Sequence, residues 1–438
     1  MSHDPVVIVG ARRTPMGAFQ GALADQAATA LGSLAIGAAV AQAGLGPDEV
    51  SEVIMGCVLP AGLGQAPARQ ASLGAGLARS VPATTVNKMC GSGMKAVMLA
   101  FDQIRAGSAD IMVAGGMESM TNAPYLLDKA RQGLRLGHGR TIDHMFMDGL
   151  EDAYEKGRLM GSFAEDTAEK MQFTREAQDQ YALESLTRAQ RATAQGWFRS
   201  QIVATTGRTP LTDDETPTKA RPEKIPHLKP AFREGGTVTA ANSASISDGA
   251  AALVLMRQSE AERRSLTPLA VIHGHASHAH APAEFTTAPI GAVRKLYDKV
   301  GWAPETVDLY EINEAFAVVA MAAMRELNLP HERVNIHGGA CALGHPIGAS
   351  GARILVTLLA ALEQNGLRRG VASLCIGGGE ATAVARTTVS PVVTSAAPEA
   401  CLAMRPVSKT NRLPPASSTA TSCLDIESSF RFFRLGNL

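Results

Sequence analysis

Aromatic residues make up only 4% of this 438-residue chain, and its charges cancel, with 41 Lys and Arg against 41 Asp and Glu. So thin an aromatic content argues against the stacking platforms that hold single-stranded nucleic acid. A balanced charge leaves no overall field to draw DNA, RNA or an anionic membrane surface. Six cysteines without a Cys-x-x-Cys pair make neither a disulfide framework nor a zinc ribbon. Reduced thiols in a cytoplasmic protein are therefore expected. The first residues, Met1 to Pro5, lack the basic segment and apolar core of a signal peptide. The longest apolar stretch, Ala27 to Ala43, is broken by Thr29, Gly32, Ser33, Gly37 and Gln42, which suits a tightly packed soluble helix better than a membrane span.

What is there is a duplication. The segment Ala43 to Gly56 has a close echo in Val300 to Asn313, and the echo continues. Gly91-Ser92-Gly93 opens a helix that leads to a strand over 110–114 and Gly115-Gly116. Gly348 to Gly351 opens another that leads to a strand over 371–376 and Gly377-Gly378-Gly379. Two copies of such a unit mean a duplicated α/β domain rather than a solenoid, and alternating strands and helices predict mostly parallel sheets. The boundaries expected are 1–120 with 240–268 for the first half and 269–386 for the second. An inserted, loop-rich segment occupies 121–239, with one amphipathic helix near 175–195 capped by Thr174. Residues 387–438 are rich in Ser, Thr, Pro and Ala with no sustained period, the composition of a disordered tail.

Chemistry concentrates in four segments. Asn87 to Gly93 sets Cys90 at a Gly-rich bend just before a helix whose apolar residues, Met94, Val97, Met98, Phe101 and Ile104, recur at helical spacing. A helix N-terminus favours an anion and so a thiolate there, although a free cysteine is as readily a buried structural one. Asn313 to Ala317 follows a strand, His345 stands in a Gly/Pro loop before a helix, and Cys375 ends a strand ahead of three glycines. Open α/β sheets bind ligands beyond the carboxyl ends of their strands. The repeat matches the His345 loop to the Cys90 loop, so the two thiols, the imidazole and the Asn amide can converge across a pseudo-two-fold axis.

These segments resemble the thiolase family, and within it the acetyl-CoA acetyltransferase branch. The likeness runs from about residue 5 to 386 and includes Ala11 to Pro15, Asn87 to Gly93, Gly115 to Met120, Gly236 to Ala240, Asp248 to Ala252, Asn313 to Ala317, Gly338 to Arg353 and Cys375 to Gly379. It implies the thiolase fold, an α/β protein with a duplicated five-layered αβαβα core. It also implies Cys90 as acyl-accepting nucleophile, His345 as its base and Cys375 as acid and base at the α-carbon of the second acetyl-CoA. One oxyanion site would consist of His345 Nε2 and a water held by Asn313, the other of the Cys90 and Gly377 backbone N–H groups. The pantetheine tunnel would be lined by Met160, Leu228, Phe232, Ala240, Ala244, Ala315 and Phe316, with Arg221 on the CoA phosphates. Acetyl-CoA, acetoacetyl-CoA and CoA are then the ligands, with no metal and no cofactor besides CoA, in a homo-oligomer (dimer or tetramer) serving fatty acid or ketone body metabolism.

Departures and rivals sharpen this expectation. Ala244 stands where the family usually carries a Ser that hydrogen-bonds the pantetheine, which weakens CoA affinity without touching the chemistry. The tail has no family counterpart and is expected to be dispensable. The tract His273 to His280 resembles a metal site, but no carboxylate or thiolate lies at ligand spacing, so it reads as a strand end and loop. The glycine runs do not form the dinucleotide-binding turn. Cys57 and Cys341 read as core thiols. The rivals are a degradative 3-ketoacyl-CoA thiolase for longer chains and a non-catalytic acyl-CoA-binding protein. The second would be expected to lack Cys90, His345 or Cys375.

Overall fold

The computed structural model describes residues 4–206 and 208–389. Its first part holds strands β1 (Val6–Arg13), β2 (Gly17–Ala18), β3 (Glu52–Gly56), β4 (Ala83–Val86) and β5 (Ile111–Ser119). Helices α1 (Ala28–Gln42), α2 (Pro67–Gly74) and α3 (Ser92–Ala106) alternate with them. Next come a small hairpin, β6 (Tyr125–Leu127) and β7 (Thr141–Asp143), and helices α4 (Met160–Lys170), α5 (Arg175–Ala194) and α6 (Glu215–Lys219). The chain returns through β8 (Ser247–Arg257), α7 (Gln258–Arg263), β9 (Ala270–Ala279), α8 (Ala288–Val300) and β10 (Leu309–Ile312). It closes with α9 (Ala317–Glu326), α10 (Ala340–Leu343), α11 (Ser350–Gln364), β11 (Arg369–Ile376) and β12 (Glu380–Thr388).

The strand order makes the duplication explicit. In the first half β3 lies parallel to β5, β5 antiparallel to β8, and β8 antiparallel to β1. The second half repeats this as β10 parallel to β11, β11 antiparallel to β12, and β12 antiparallel to β9. A lone parallel bridge from Tyr310 to Val334 stands where β4 pairs with β3 in the first half. The halves join edge to edge, Val6, Val7 and Ile8 of β1 facing Ile272, Val271 and Ala270 of β9, which makes one ten-stranded sheet.

Strand residues alternate between faces, as the period of two requires. Val6 and Ile8 turn to a central core with Met112, Ala114, Leu253 and Leu374, whereas Val7, Val9, Val113 and Val254 turn outward. The central core is filled by α3 and α11 from opposite halves, through Val97, Phe101, Ile104, Ile354, Leu355 and Leu358. Helices α1 and α2 cover the first half-sheet from outside, and α8 and α9 cover the second. Helix, sheet, helix pair, sheet and helix give the five layers expected.

Four sequence expectations change. The sheet is mixed rather than mostly parallel. The turn Gly377-Gly378-Gly379 joins β11 to β12 directly, and so short a link forces antiparallel pairing. Gly115 and Gly116 lie inside β5 instead of ending it. A Cβ on either would come within 2.0 Å of a neighbouring carbonyl oxygen, Ala251 O or Gly348 O. The inserted segment carries α4 as well as the capped helix α5, where the Ala177 N–H does donate to Thr174 Oγ1. Finally, Thr387 and Thr388 belong to β12, paired with Val271 and Ala270, so they leave the tail they were assigned to. Val389 follows, its N–H donating to Leu269 O at 3.2 Å, and the rest of that tail, 390–438, lies outside the described residues.

Candidate active site

The turn that presents Cys90 is closed by its own polar groups. Met89 is held at φ 48°, a left-handed conformation that costs a side-chain-bearing residue energy and needs support. The support is local. The Met89 N–H donates to Asn87 Oδ1 at 2.9 Å, and Ser92 Oγ donates to Met89 O at 2.6 Å while accepting from the Lys88 N–H at 2.8 Å. Gly91 follows because a Cβ there would lie 2.4 Å from Ile376 Cδ1. Helix α3 then starts at Ser92.

His345 enters from the other half on an equivalent loop ahead of α11. Its backbone N–H donates to Ser245 O at 3.0 Å, and its Nδ1 lies 2.5 Å from Ser350 Oγ. Ser350 gives its own proton to Pro346 O at 3.0 Å, so Nδ1 must carry the imidazole proton and Nε2 presents a lone pair. Nε2 is buried without a protein partner. Burial, reinforced by the Arg353 charge, pushes the His345 pKa down to about 3, so the ring is neutral at ordinary pH.

Cys90 and His345 line one cavity of about 80 Å³ with Met120, Leu150, Met160, Ala244, Ser245, Phe285, Ala315, Phe316 and Gly377. Burial pushes the Cys90 thiol up to about 11, against the downward pull of the Gly377 and Cys90 backbone N–H groups aimed at its sulfur. The helix terminus therefore does not make a resting thiolate, contrary to the sequence expectation, because desolvation outweighs it. Cys375 is almost fully buried, packed with Phe163, Phe285, Ala315 and Phe316. Its thiol is also pushed up, first by burial and then by electrostatic coupling to Cys90. Asn313 is buried at the end of β10, its Oδ1 accepting from Arg353 at 3.4 Å and its Nδ2 without a partner.

The remaining sequence candidates divide between two cavities. Met160, Ala244, Ala315 and Phe316 line the inner one with Cys90. Arg221, Leu228 and Ala240 line an outer cavity of about 270 Å³ with Lys224, Ile225, Ser245, Cys341 and Ala342. Phe232 lines neither, and sets its ring edge-on against Phe316 at 5.9 Å. Cys341 thus opens on the outer cavity while also packing against the core around Tyr310 and Ala317, whereas Cys57 is buried against Glu118 at 3.5 Å.

Sequence reasoning passed over two residues. One is Ser350, which sets the imidazole tautomer and was visible only as part of a Gly/Ser helix start. The other is Glu118, fully buried, whose carboxylate accepts from the N–H groups of Val58, Leu59 and Gly348 at 2.9–3.1 Å. It ties the loop after β3 to the His345 loop across the two halves. Burial raises its pKa to about 7. The Gly-Gly-Met-Glu motif held the signal, but no local feature says that a carboxylate must meet three N–H groups from two loops.

Known proteins resemble this chain in sequence and in fold. The description "Thiolase, N-terminal domain" matches residues 6–259, and "Thiolase, C-terminal domain" matches 266–388. The chain is 51% identical over 387 residues to the Arabidopsis thaliana protein named "Acetyl-CoA acetyltransferase 2", covering 86% of this chain and 96% of that one. It is 47% identical to the "Acetyl-CoA acetyltransferase" of Cupriavidus necator, covering 87% and 98%. Among solved structures it is similar to the Acat5 thiolase of Ascaris suum in complex with coenzyme A. That match has a TM-score of 0.84 and 41% identity, covering 88% of this chain and 100% of that one. The acetyl-CoA acetyltransferase of Bacillus anthracis matches with a TM-score of 0.85 and 41% identity, covering 88% and 99%.

Proposed function

Because this chain belongs to the thiolase family, over residues 6–259 and 266–388, we propose that it is an acetyl-CoA acetyltransferase. It joins two acetyl-CoA to give acetoacetyl-CoA and CoA, reversibly. Two relatives at 51% and 47% identity carry that name. The observation that carries the chemistry is the pairing, in one cavity, of Cys90 with a neutral imidazole whose Nε2 has no protein partner.

A thiol with a pKa near 11 needs a base, and His345 is neutral and able to accept its proton. The Cys90 thiolate attacks the acetyl-CoA carbonyl, and the oxyanion is met by the Cys90 and Gly377 backbone N–H groups. CoA leaves with the proton from His345, and the acetyl group stays on sulfur. His345 Nε2 then takes the proton of the Cys375 thiol, and the Cys375 thiolate removes a proton from the α-carbon of a second acetyl-CoA. The resulting enolate oxygen accepts hydrogen bonds from the now protonated His345 Nε2 and from a water on Asn313 Nδ2. The carbanion attacks the Cys90 thioester, the carbon–carbon bond forms, and Cys90 departs as a thiolate that takes the proton back from His345 Nε2. Nothing in this sequence calls for a metal or for a cofactor besides CoA.

Mass spectrometry after mixing with acetyl-CoA should show one acetyl group on the Cys90 peptide. Cys90→Ala should abolish it. Cys375→Ala should keep acetyl exchange and lose condensation, and retained condensation would remove Cys375 from its role. Faster cleavage of C10 than of C4 ketoacyl-CoA would favour a longer-chain thiolase instead. We also read the protein as cytoplasmic, since adjacent working thiols need a reducing compartment. A homo-oligomer is supported by the exposed apolar side chains of Tyr125, Leu127, Leu134 and Leu136 in one inserted segment.

A further inference from the structure

The inner and outer cavities are lined by different residues with one exception. Among the described residues Ser245 alone lines both. It is also the one hydroxyl in the inner cavity, whose other walls are apolar apart from Cys90 and His345. The outer cavity carries two cations, Arg221 and Lys224, suited to an anionic group. Ser245 is thus the residue shared by the wall that carries Cys90 and His345 and the wall that carries Arg221 and Lys224.

The proton arrangement says what Ser245 offers there. Ser247 Oγ donates to Ser245 O at 2.9 Å, so in the 3.3 Å contact between the two hydroxyls Ser245 is the donor. Both lone pairs of Ser245 Oγ are then left to accept. The Ser245 carbonyl also accepts from the His345 N–H, which fixes the residue relative to the catalytic ring. Ala244, the preceding residue, presents only a methyl group to the inner cavity and hydrogen-bonds its backbone to Ala315 O at 3.0 Å.

We propose that Ser245 is a substrate-binding residue whose hydroxyl, at the neck between the two cavities, accepts a hydrogen bond from an amide N–H of the pantetheine arm. This rests on the reading of the protein as an acetyl-CoA enzyme. It gives this chain a polar contact that Ala244 cannot make.

The test is steady-state and burst kinetics of wild type, Ser245→Ala and Ser245→Thr on acetyl-CoA and on S-ethyl thioacetate, which has no amide. Losing one neutral hydrogen bond should raise the KM for acetyl-CoA about three- to tenfold, with kcat within about twofold. Ser245→Thr should restore most of the loss. On S-ethyl thioacetate the variants should match wild type, because a purely structural defect would persist there. An unchanged KM for acetyl-CoA in Ser245→Ala, with the Cys90 adduct still forming, overturns the assignment alone. Absence of that adduct in wild type overturns the acetyl-transfer reading and this assignment together.

Discussion

At the scale of residues, the reactivity of Cys90 belongs to a pair. Alone, the thiol is held protonated by burial, and the two N–H groups at its sulfur serve an oxyanion better than a resting thiolate. His345 supplies the base because burial keeps its ring neutral and Ser350 holds the proton on Nδ1. An imidazole must be unprotonated to take a proton, so a pKa lowered to about 3 removes the usual acid limb near 6.5. The burst rate of Cys90 acetylation should therefore stay nearly flat between about pH 5 and 8 in stopped-flow measurements. A half-maximal rate near pH 6.5 would show that the ring is not desolvated in this way. In the same experiment Ser350→Ala should slow the burst about 10- to 100-fold with little change in KM, since it frees the tautomer and leaves the binding walls intact. The types and positions of Cys90, His345 and Cys375 were legible from sequence. Ser350 and Glu118 were not, because their roles consist of contacts that close only when loops from both halves meet.

At the scale of elements, the site is positioned by two helix starts pressed together. A Cβ on Gly93 would lie 2.8 Å from Ala352 N, and one on Gly351 would lie 2.4 Å from Met94 N. These reciprocal contacts are to backbone, which cannot rotate away. Gly351→Ala should thus cost about 1–3 kcal/mol in urea unfolding and lower activity by shifting both loops. Unchanged stability would mean that the helix pair has slack that the geometry denies. The helices themselves were readable from period and capping, as α3 and α5 show. Helix α4 was missed because its apolar residues are few and its sequence blends into a charged, turn-rich segment. Gly115 and Gly116 misled for another reason. Glycine marks a chain end or a close approach equally well, and only the neighbouring carbonyls distinguish the two.

At the scale of the whole molecule, the repeat stacks each half-sheet between helices, and α3 and α11 form a shared central layer. The last strand of that architecture, β12, is complete at Thr388. Deleting residues 390–438 should accordingly leave solubility, acetylation of Cys90 and the oligomeric state read from sedimentation unaltered. Loss of solubility or activity would show that the segment contributes to the protein.

The sequence by itself determined the duplicated α/β plan, the chemical identities at the site and the family likeness. Each of these is carried by local period, by glycine placement or by motifs repeated in order along one chain. The tertiary structure alone decided the mixed strand directions, the β1–β9 seam, the burial that raises the Cys90 thiol and the two cavities that share Ser245. Those properties depend on which backbone and side-chain atoms come together from distant positions and how much water they exclude, and no local pattern encodes that.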